Sequence, residues 1–231
     1  MNLKPSRPKS GLGYLQVALL SEKSLGNHAL DWHVKRWLSL RTLTDPTTVL
    51  KDIERLAAQY NLPIIGPRKG KVLADAMKRY RPRLVLEIGT LVGYSSILMG
   101  QHLPEDGRIT TIEIDRDNAA LAKEHFKKAG LSERINILIG PALNIIPRLH
   151  GPFGLLFLDA AKEEYYRCLK AAEPKLDERA VVVADNVKIY ANQLNDFLDY
   201  VRNSGKYRTR TFDVGSDAVE VSERIPTHAA G

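Results

Sequence analysis

Cysteine is almost absent from this chain of 231 residues. The lone thiol, Cys168, excludes an intrachain disulfide framework and a cysteine-rich metal site, and it fits a reducing compartment, for which the cytoplasm is the expectation. Long hydrophobic runs are missing too. Stretches such as Leu155 to Leu158 and Ala180 to Ala184 fall far short of the roughly 20 residues that a membrane-spanning helix needs, so no membrane span is expected. The six histidines (His28, His33, His102, His125, His150 and His228) are scattered without ligand spacing, which argues for surface or core roles over a histidine metal site. The two tryptophans, Trp32 and Trp37, fall on one helical stretch and are expected to pack. Acids are only slightly fewer than bases, 27 against 34. The net charge of +7 is interleaved, as in Lys123 to Lys128, so a solvated basic surface is expected and no nucleic-acid partner.

What is present suffices for one core: 44% of positions are hydrophobic and 26% charged. Residues 1–24 hold Lys4, Pro5, Arg7, Pro8 and Lys9 ahead of the first acid, Glu22. The apolar stretch Gly11 to Leu20 is interrupted by Gln16 and no small-residue cleavage site follows, so a flexible basic arm is expected there. Residues 25–231 read as a single domain, with helices over 25–81 and an α/β core over 82–222. Helical spacing runs through Leu30, Val34, Trp37 and Leu38, then Val49, Ile53, Leu56 and Ala57, then Val72, Leu73, Ala76 and Met77. After Pro82 the pattern becomes short aliphatic runs at Leu84 to Ile88, Ile109 to Glu113, Ile135 to Ile139, Gly154 to Leu158 and Val181 to Ala184. Helical stretches near Ser95 to His102, Asp117 to Ala129, Ala142 to His150, Lys162 to Ala172 and Gln193 to Asn203 separate or follow them. Two closing runs, Tyr207 to Val214 and Ala218 to Val221, flank Gly215 and should pair antiparallel. The sum is a seven-stranded, mostly parallel sheet with an antiparallel last strand, helices on both faces, and further helices in front.

Sheets of this kind bind ligands beyond the carboxyl ends of their strands. The first run leads into Glu87-Ile88-Gly89-Thr90-Leu91-Val92-Gly93-Tyr94-Ser95, where glycines allow a tight turn and a helix N-terminus offers free N–H groups to an anion. The spacing is not Gly-x-Gly-x-x-Gly, which disfavours a dinucleotide. The second run ends at Glu113, placed to accept the two hydroxyls of a ribose. An ordinary strand-to-helix turn and an exposed strand-end acid are the plainer alternatives. The fourth run ends in Asp159-Ala160-Ala161-Lys162 and the fifth in Asp185-Asn186. If those strands are neighbours, their oxygens can converge on one hard cation such as magnesium, although aspartates after strands also cap helices.

Together these segments resemble the catechol O-methyltransferase family, related to the caffeoyl-coenzyme A O-methyltransferases, from Asn27 to the last strand. The matching pieces are Gly66 to Lys71, Leu84 to Ser95, Glu113, Gly140 with Ile146-Pro147, Asp159 with Lys162, Ala184-Asp185-Asn186-Val187, and Asp196-Phe197-Leu198 with Tyr200-Val201. The resemblance implies a Rossmann-like class I methyltransferase fold, S-adenosyl-L-methionine as cofactor, and Mg2+ held by Asp159, Asp185 and Asn186. It further implies Lys162 as general base and a small phenolic substrate with neighbouring hydroxyls. The cofactor would be lined by Ile65, Glu87, Gly89, Gly93, Ser95, Glu113, Ile114, Ala142 and Asp159, with Gly89 and Ser95 at its methionine end and Glu113 at the ribose.

The chain also departs from the family. Ala160 and Ala161 stand where the animal enzymes have His and Trp, Ala142-Leu143 replaces the Ser-Gln near the adenine, and Asn61 stands in place of an aromatic gatekeeper. No acid occurs in Asn203-Ser204-Gly205-Lys206, where the family places one that orients the second substrate hydroxyl. Asp217 comes nearest and is expected to shape the turn after Gly215 instead. A larger acceptor, such as a caffeoyl thioester or polyketide phenol, and non-catalytic binding of the cofactor are the competing readings.

Overall fold

The computed structural model describes residues 44–226. The basic arm and the first helical stretch, with Trp32 and Trp37, lie outside the described residues. Among the described residues two helices precede the sheet, α1 (Pro46–Tyr60) and α2 (Gly66–Tyr80). Helix α1 starts where Asp45 accepts the Thr48 N–H at 3.1 Å and proline occupies the first turn, and it stops at Asn61, whose left-handed backbone returns an N–H to Ala57. Asparagine tolerates that conformation better than a bulky aromatic. Asn61 is therefore a helix stop. The inward face of α1 buries Val49, Leu50, Ile53 and Ala57.

Strands β1 (Leu84–Ile88), β2 (Arg108–Glu113), β3 (Ile135–Ile139), β4 (Phe153–Leu158), β5 (Leu176–Ala184), β6 (Tyr207–Val214) and β7 (Asp217–Arg224) form one sheet in the order β3-β2-β1-β4-β5-β7-β6. β7 runs opposite to the other six strands. Between the strands lie α3 (Tyr94–Gly100), α4 (Arg116–Lys128), α5 (Ala142–Ile145), α6 (Tyr165–Ala172) and α7 (Asn195–Asn203). Side chains alternate across the sheet. Leu155, Phe157, Val181 and Val183 enter the core shared with α1 to α4, while Leu156, Leu158, Val182 and Ala184 enter the one shared with α5 to α7. Because both faces are covered, the central strands read as unbroken aliphatic runs, which makes them recognisable in the sequence.

Several boundaries differ from expectation, the last strand among them, which runs from Asp217 to Arg224 and not from Ala218 to Val221. Strand β5 begins at Leu176, not Val181, because Asp177, Glu178 and Arg179 are exposed and hide the apolar pattern. The helix expected over Ala142 to His150 is split into α5 and a tighter turn at Ile146–Arg148, where Pro147 lacks the N–H that a longer helix requires. The stretch at Lys162 likewise opens as a single tight turn, Lys162–Glu164, before α6. Among the described residues no helix is long and apolar enough to cross a membrane.

Candidate active site

The strand order reverses at β1, which has β2 on one side and β4 on the other. Ile88 lies opposite Leu158, and Leu158 opposite Ala184. One residue further along, Gly89, Asp159 and Asp185 stand abreast at the carboxyl edge, tied by Asp159 N–H to the Ile88 carbonyl at 2.9 Å and Asp185 N–H to the Leu158 carbonyl at 3.0 Å. Gly89 has φ +98°, and a Cβ there would sit 2.1 Å from the Asp159 carbonyl oxygen. The close approach of these strand ends thus demands glycine. Gly93, with φ +88°, has the ring of Phe126 where its Cβ would go.

The turn between these glycines is held from both sides by carboxylates. Glu113 Oε2 accepts the N–H groups of Thr90 at 3.2 Å and Leu91 at 2.7 Å, and Oε1 accepts that of Asp115 at 2.9 Å. Its side chain therefore faces the turn from the end of β2. Glu87 is fully buried, and its two oxygens accept the hydroxyls of Ser95 and Ser96. Burial outweighs those hydrogen bonds and raises its pKa to about 7. Next to Glu113, Ile114 is 69% exposed. The Gly140 N–H bonds the Glu113 carbonyl at 2.8 Å, which brings the start of α5, with buried Ala142, to the same edge. Ile65, by contrast, is buried in the core with α1 and α2.

The second half of the site gathers around Asp159 and Asp185. Lys162 Nζ donates to Asp159 Oδ1 at 3.0 Å and to the Tyr165 hydroxyl at 2.7 Å, and that hydroxyl reaches the Asp185 carbonyl at 3.4 Å. Burial, reinforced by Asp159 and Asp185, holds the Tyr165 phenol far above its ordinary pKa, so it stays protonated. Lys162 also lies 5.9 Å from the ring centre of Tyr190. Neither aspartate caps a helix: the N-cap positions of the short helical turns that follow are Ala161 and Tyr190. The capping alternative is therefore set aside.

Two members of this cluster have no site role in the sequence pattern. Lys69, in the first turn of α2, bridges Asp185 Oδ2 at 2.7 Å and Asp217 Oδ2 at 2.9 Å. Asp217 is buried, accepts the Asn186 side-chain N–H at 2.7 Å, and does more than shape the turn after Gly215. Burial lowers the Lys69 pKa, but Asp185 and Asp217 outweigh it and the net shift is upward. Burial and the nearby Asp159 push the Asp185 carboxyl up in spite of Lys69.

A divalent cation fits this chemistry. Asp185 Oδ1 is buried without a hydrogen-bond partner among the described residues, a costly state that a cation beside it would relieve. With all five groups ionised, three carboxylates face two ammonium groups, which leaves the cluster short of positive charge. No group of three or more His, Cys, Asp or Glu side chains among the described residues is arranged for a metal. The donor set is two carboxylates and an amide, all hard oxygens of the kind magnesium accepts. His125 and Cys168 stand apart: the imidazole is buried with Nδ1 on the Val92 carbonyl at 2.6 Å, and burial pushes the Cys168 thiol up to about 12, an inert state.

The chain is similar to known methyltransferases. A sequence profile of the O-methyltransferase family matches residues 41–198. The catechol O-methyltransferase of Mus musculus is 34% identical over 171 residues, which cover 71% of this chain and 64% of that protein. That of Niastella koreensis is 37% identical over 136 residues, 56% of this chain and 62% of that protein. The match thus spans just under two thirds of either relative. Among solved structures, the O-methyltransferase TomG from Streptomyces achromogenes, in complex with S-adenosylmethionine, superposes with a TM-score of 0.71 at 27% identity, covering 82% of this chain and 94% of that one. The O-methyltransferase from Bacillus cereus, bound to S-adenosylhomocysteine, gives 0.70 at 25% identity, with 85% and 97% covered. The chain belongs to the O-methyltransferase family.

Proposed function

We propose that this protein transfers the methyl group of S-adenosylmethionine to one oxygen of a small phenol carrying neighbouring hydroxyls, with Mg2+ held by Asp159, Asp185 and Asn186. The observation that carries this reading is the buried, unpartnered Oδ1 of Asp185 abreast of Asp159, with Lys162 donating to Asp159. The carboxyl edge at Gly89 and Ser95 would receive the methionine end of the cofactor, Glu113 the ribose, and Ile114 with Ala142 the adenine. When bound, the cation would lower the pKa of a coordinated phenol, which is near ~10 in water and leaves the free hydroxyl a poor nucleophile. Lys162, held between Asp159 and Tyr165, is placed to take the hydroxyl proton at Nζ once it is itself deprotonated. Tyr165, kept neutral, orients that amine without competing for the proton. Orientation supplies the rest, since an in-line attack on a sulfonium methyl needs the oxygen, carbon and sulfur aligned.

A wider acceptor has one observation in its favour. Ala160 and Ala161 put no bulk between Asp159 and Lys162, Ala161 is exposed, and the rim instead offers the exposed Ile189 and the half-buried Tyr190. A thioester-linked or polyketide phenol would use that room. The lone, buried Cys168 fits a cytoplasmic setting. The deciding assay is methyl transfer from labelled S-adenosylmethionine to a panel of catechols and thioester-linked phenols, with Mg2+ or chelator, for wild type and Asp159→Ala. Mg2+-dependent turnover lost in the variant is expected. Cofactor binding with no turnover on any phenol would refute the enzymatic reading.

A further inference from the structure

Asn186 is held more firmly than a cation ligand alone requires. Its backbone is left-handed, φ 62°, and its side-chain nitrogen donates to Asp217 Oδ2 at 2.7 Å. That oxygen also accepts Lys69 Nζ at 2.9 Å, while Asp217 Oδ1 accepts the Ile189 N–H at 3.3 Å. Both oxygens of Asp217 are thus engaged by donors from α2 and from the loop after β5. A carboxylate can only accept, so the amide that faces it must present nitrogen; the flipped amide would set oxygen against oxygen. With the nitrogen committed to Asp217, the oxygen is the atom left to Asn186 for a cation. Lys69 joins the two ends of the arrangement, since the same ammonium bridges Asp217 and Asp185.

We infer that Asp217, backed by Lys69, is a positioning residue that fixes the Asn186 carboxamide oxygen-forward before a divalent cation arrives. The inference rests on the proposed cation site of Asp159, Asp185 and Asn186. An outer partner that orients a ligand is worth on the order of 10- to 100-fold in metal affinity. Asp217→Asn removes the all-acceptor partner and allows either amide face to turn inward. The geometry also names its own repair: in the double variant Asn186→Asp/Asp217→Asn, donor and acceptor exchange places, and position 186 keeps an oxygen for the cation.

The test is Mn2+ binding to the purified full chain, followed by electron paramagnetic resonance, for wild type, Asp217→Asn, Asn186→Asp and the double variant. We expect a 10- to 100-fold loss in Asp217→Asn that is recovered in the double variant. Losses that simply add would mean that Asp217 acts through general stability, and an unchanged affinity in Asp217→Asn would likewise overturn the assignment while leaving the cation site intact. A wild type that binds no Mn2+ overturns the cation site and the inference with it. Should Asp217→Asn fail to fold, the side-chain amide resonances of Asn186 in metal-free, 15N-labelled wild type decide. An order parameter of the side-chain N–H vectors near that of rigid backbone, about 0.85, supports a fixed amide, and one below about 0.6 overturns it.

Discussion

Glu87 offers a sharp quantitative test of how the carboxyl edge of the sheet is built. It lies on the central strand β1 with no exposed surface, and burial raises its pKa from an ordinary 4.5 to about 7 in spite of the hydroxyls of Ser95 and Ser96. A carboxyl whose folded pKa is raised contributes stability that is fully present below its unfolded pKa and lost as pH rises through the folded one. Between those limits the unfolded chain has released a proton that the folded chain still holds. A gap of about 2.5 units corresponds to ~3.4 kcal/mol in total, of which about 2.5 kcal/mol falls between pH 5 and pH 8. Glu87→Gln keeps the shape and offers one acceptor and one donor to the two hydroxyls, but it cannot ionise. Each protein has its own baseline, so the informative quantity is how the difference between the two changes with pH. Urea unfolding of both cofactor-free proteins at pH 5, 6, 7 and 8 should show Glu87→Gln gaining about 2 to 3 kcal/mol on wild type across that range. Parallel pH profiles would refute the claim that Glu87 is held largely protonated in the folded protein.

Two further outcomes follow from the geometry. Gly89→Ala would drive a Cβ into the Asp159 carbonyl at a backbone angle that L-residues rarely adopt, and the obstructing atoms are backbone and cannot swing away. The cost should reach about 3 kcal/mol, seen as a melting temperature lower by ~6 to 12 °C, and an unchanged melting temperature would contradict the close approach of β1 and β4 at this edge. Glu113→Gln halves the acceptor capacity that holds the Thr90 and Leu91 N–H groups and is proposed to receive the ribose, a loss on the order of 1.5–3 kcal/mol. Calorimetric titration with S-adenosylhomocysteine should then show a dissociation constant raised ~10- to 100-fold, whereas an unchanged constant would remove Glu113 from the cofactor site.

The residues that are legible in the sequence and those that are not differ in one physical respect. Gly89, Glu113, Asp159 and Asp185 stand at or just beyond the carboxyl ends of parallel strands, so the rule that ligands gather there finds them from local pattern alone. Strand β5 reads short in the sequence because its early charged residues, Asp177 to Arg179, face solvent and break the aliphatic run. Tyr165 escapes because it stands three residues after Lys162, where an aromatic reads as an ordinary core residue of α6 until the hydroxyl is seen to meet the ammonium. Lys69 and Asp217 reach the site from 116 and 31 residues away from their partners Asp185 and Asn186, distances across which no spacing pattern operates.

Asp217 is nevertheless deducible. An antiparallel strand inverts the edge rule, because it begins where its parallel neighbours end. The glycine turn of the closing pair implies antiparallel pairing, and β5 and β7 do pair that way, with Ala184 opposite Glu220 and the Val187 N–H on the Ala218 carbonyl. The first residue of β7 must then lie at the carboxyl edge of β5, beside Asn186, and an acid there joins the cluster of Asp159 and Asp185 through Lys69. The missing substrate-orienting acid among Asn203 to Lys206 directs attention to the entry of β6, whereas topology directs it to the entry of β7. The same logic makes Lys69 intelligible: once a third carboxylate is forced into the cluster, an ammonium from the helix nearest that edge becomes an electrostatic requirement, and α2 supplies it from its first turn.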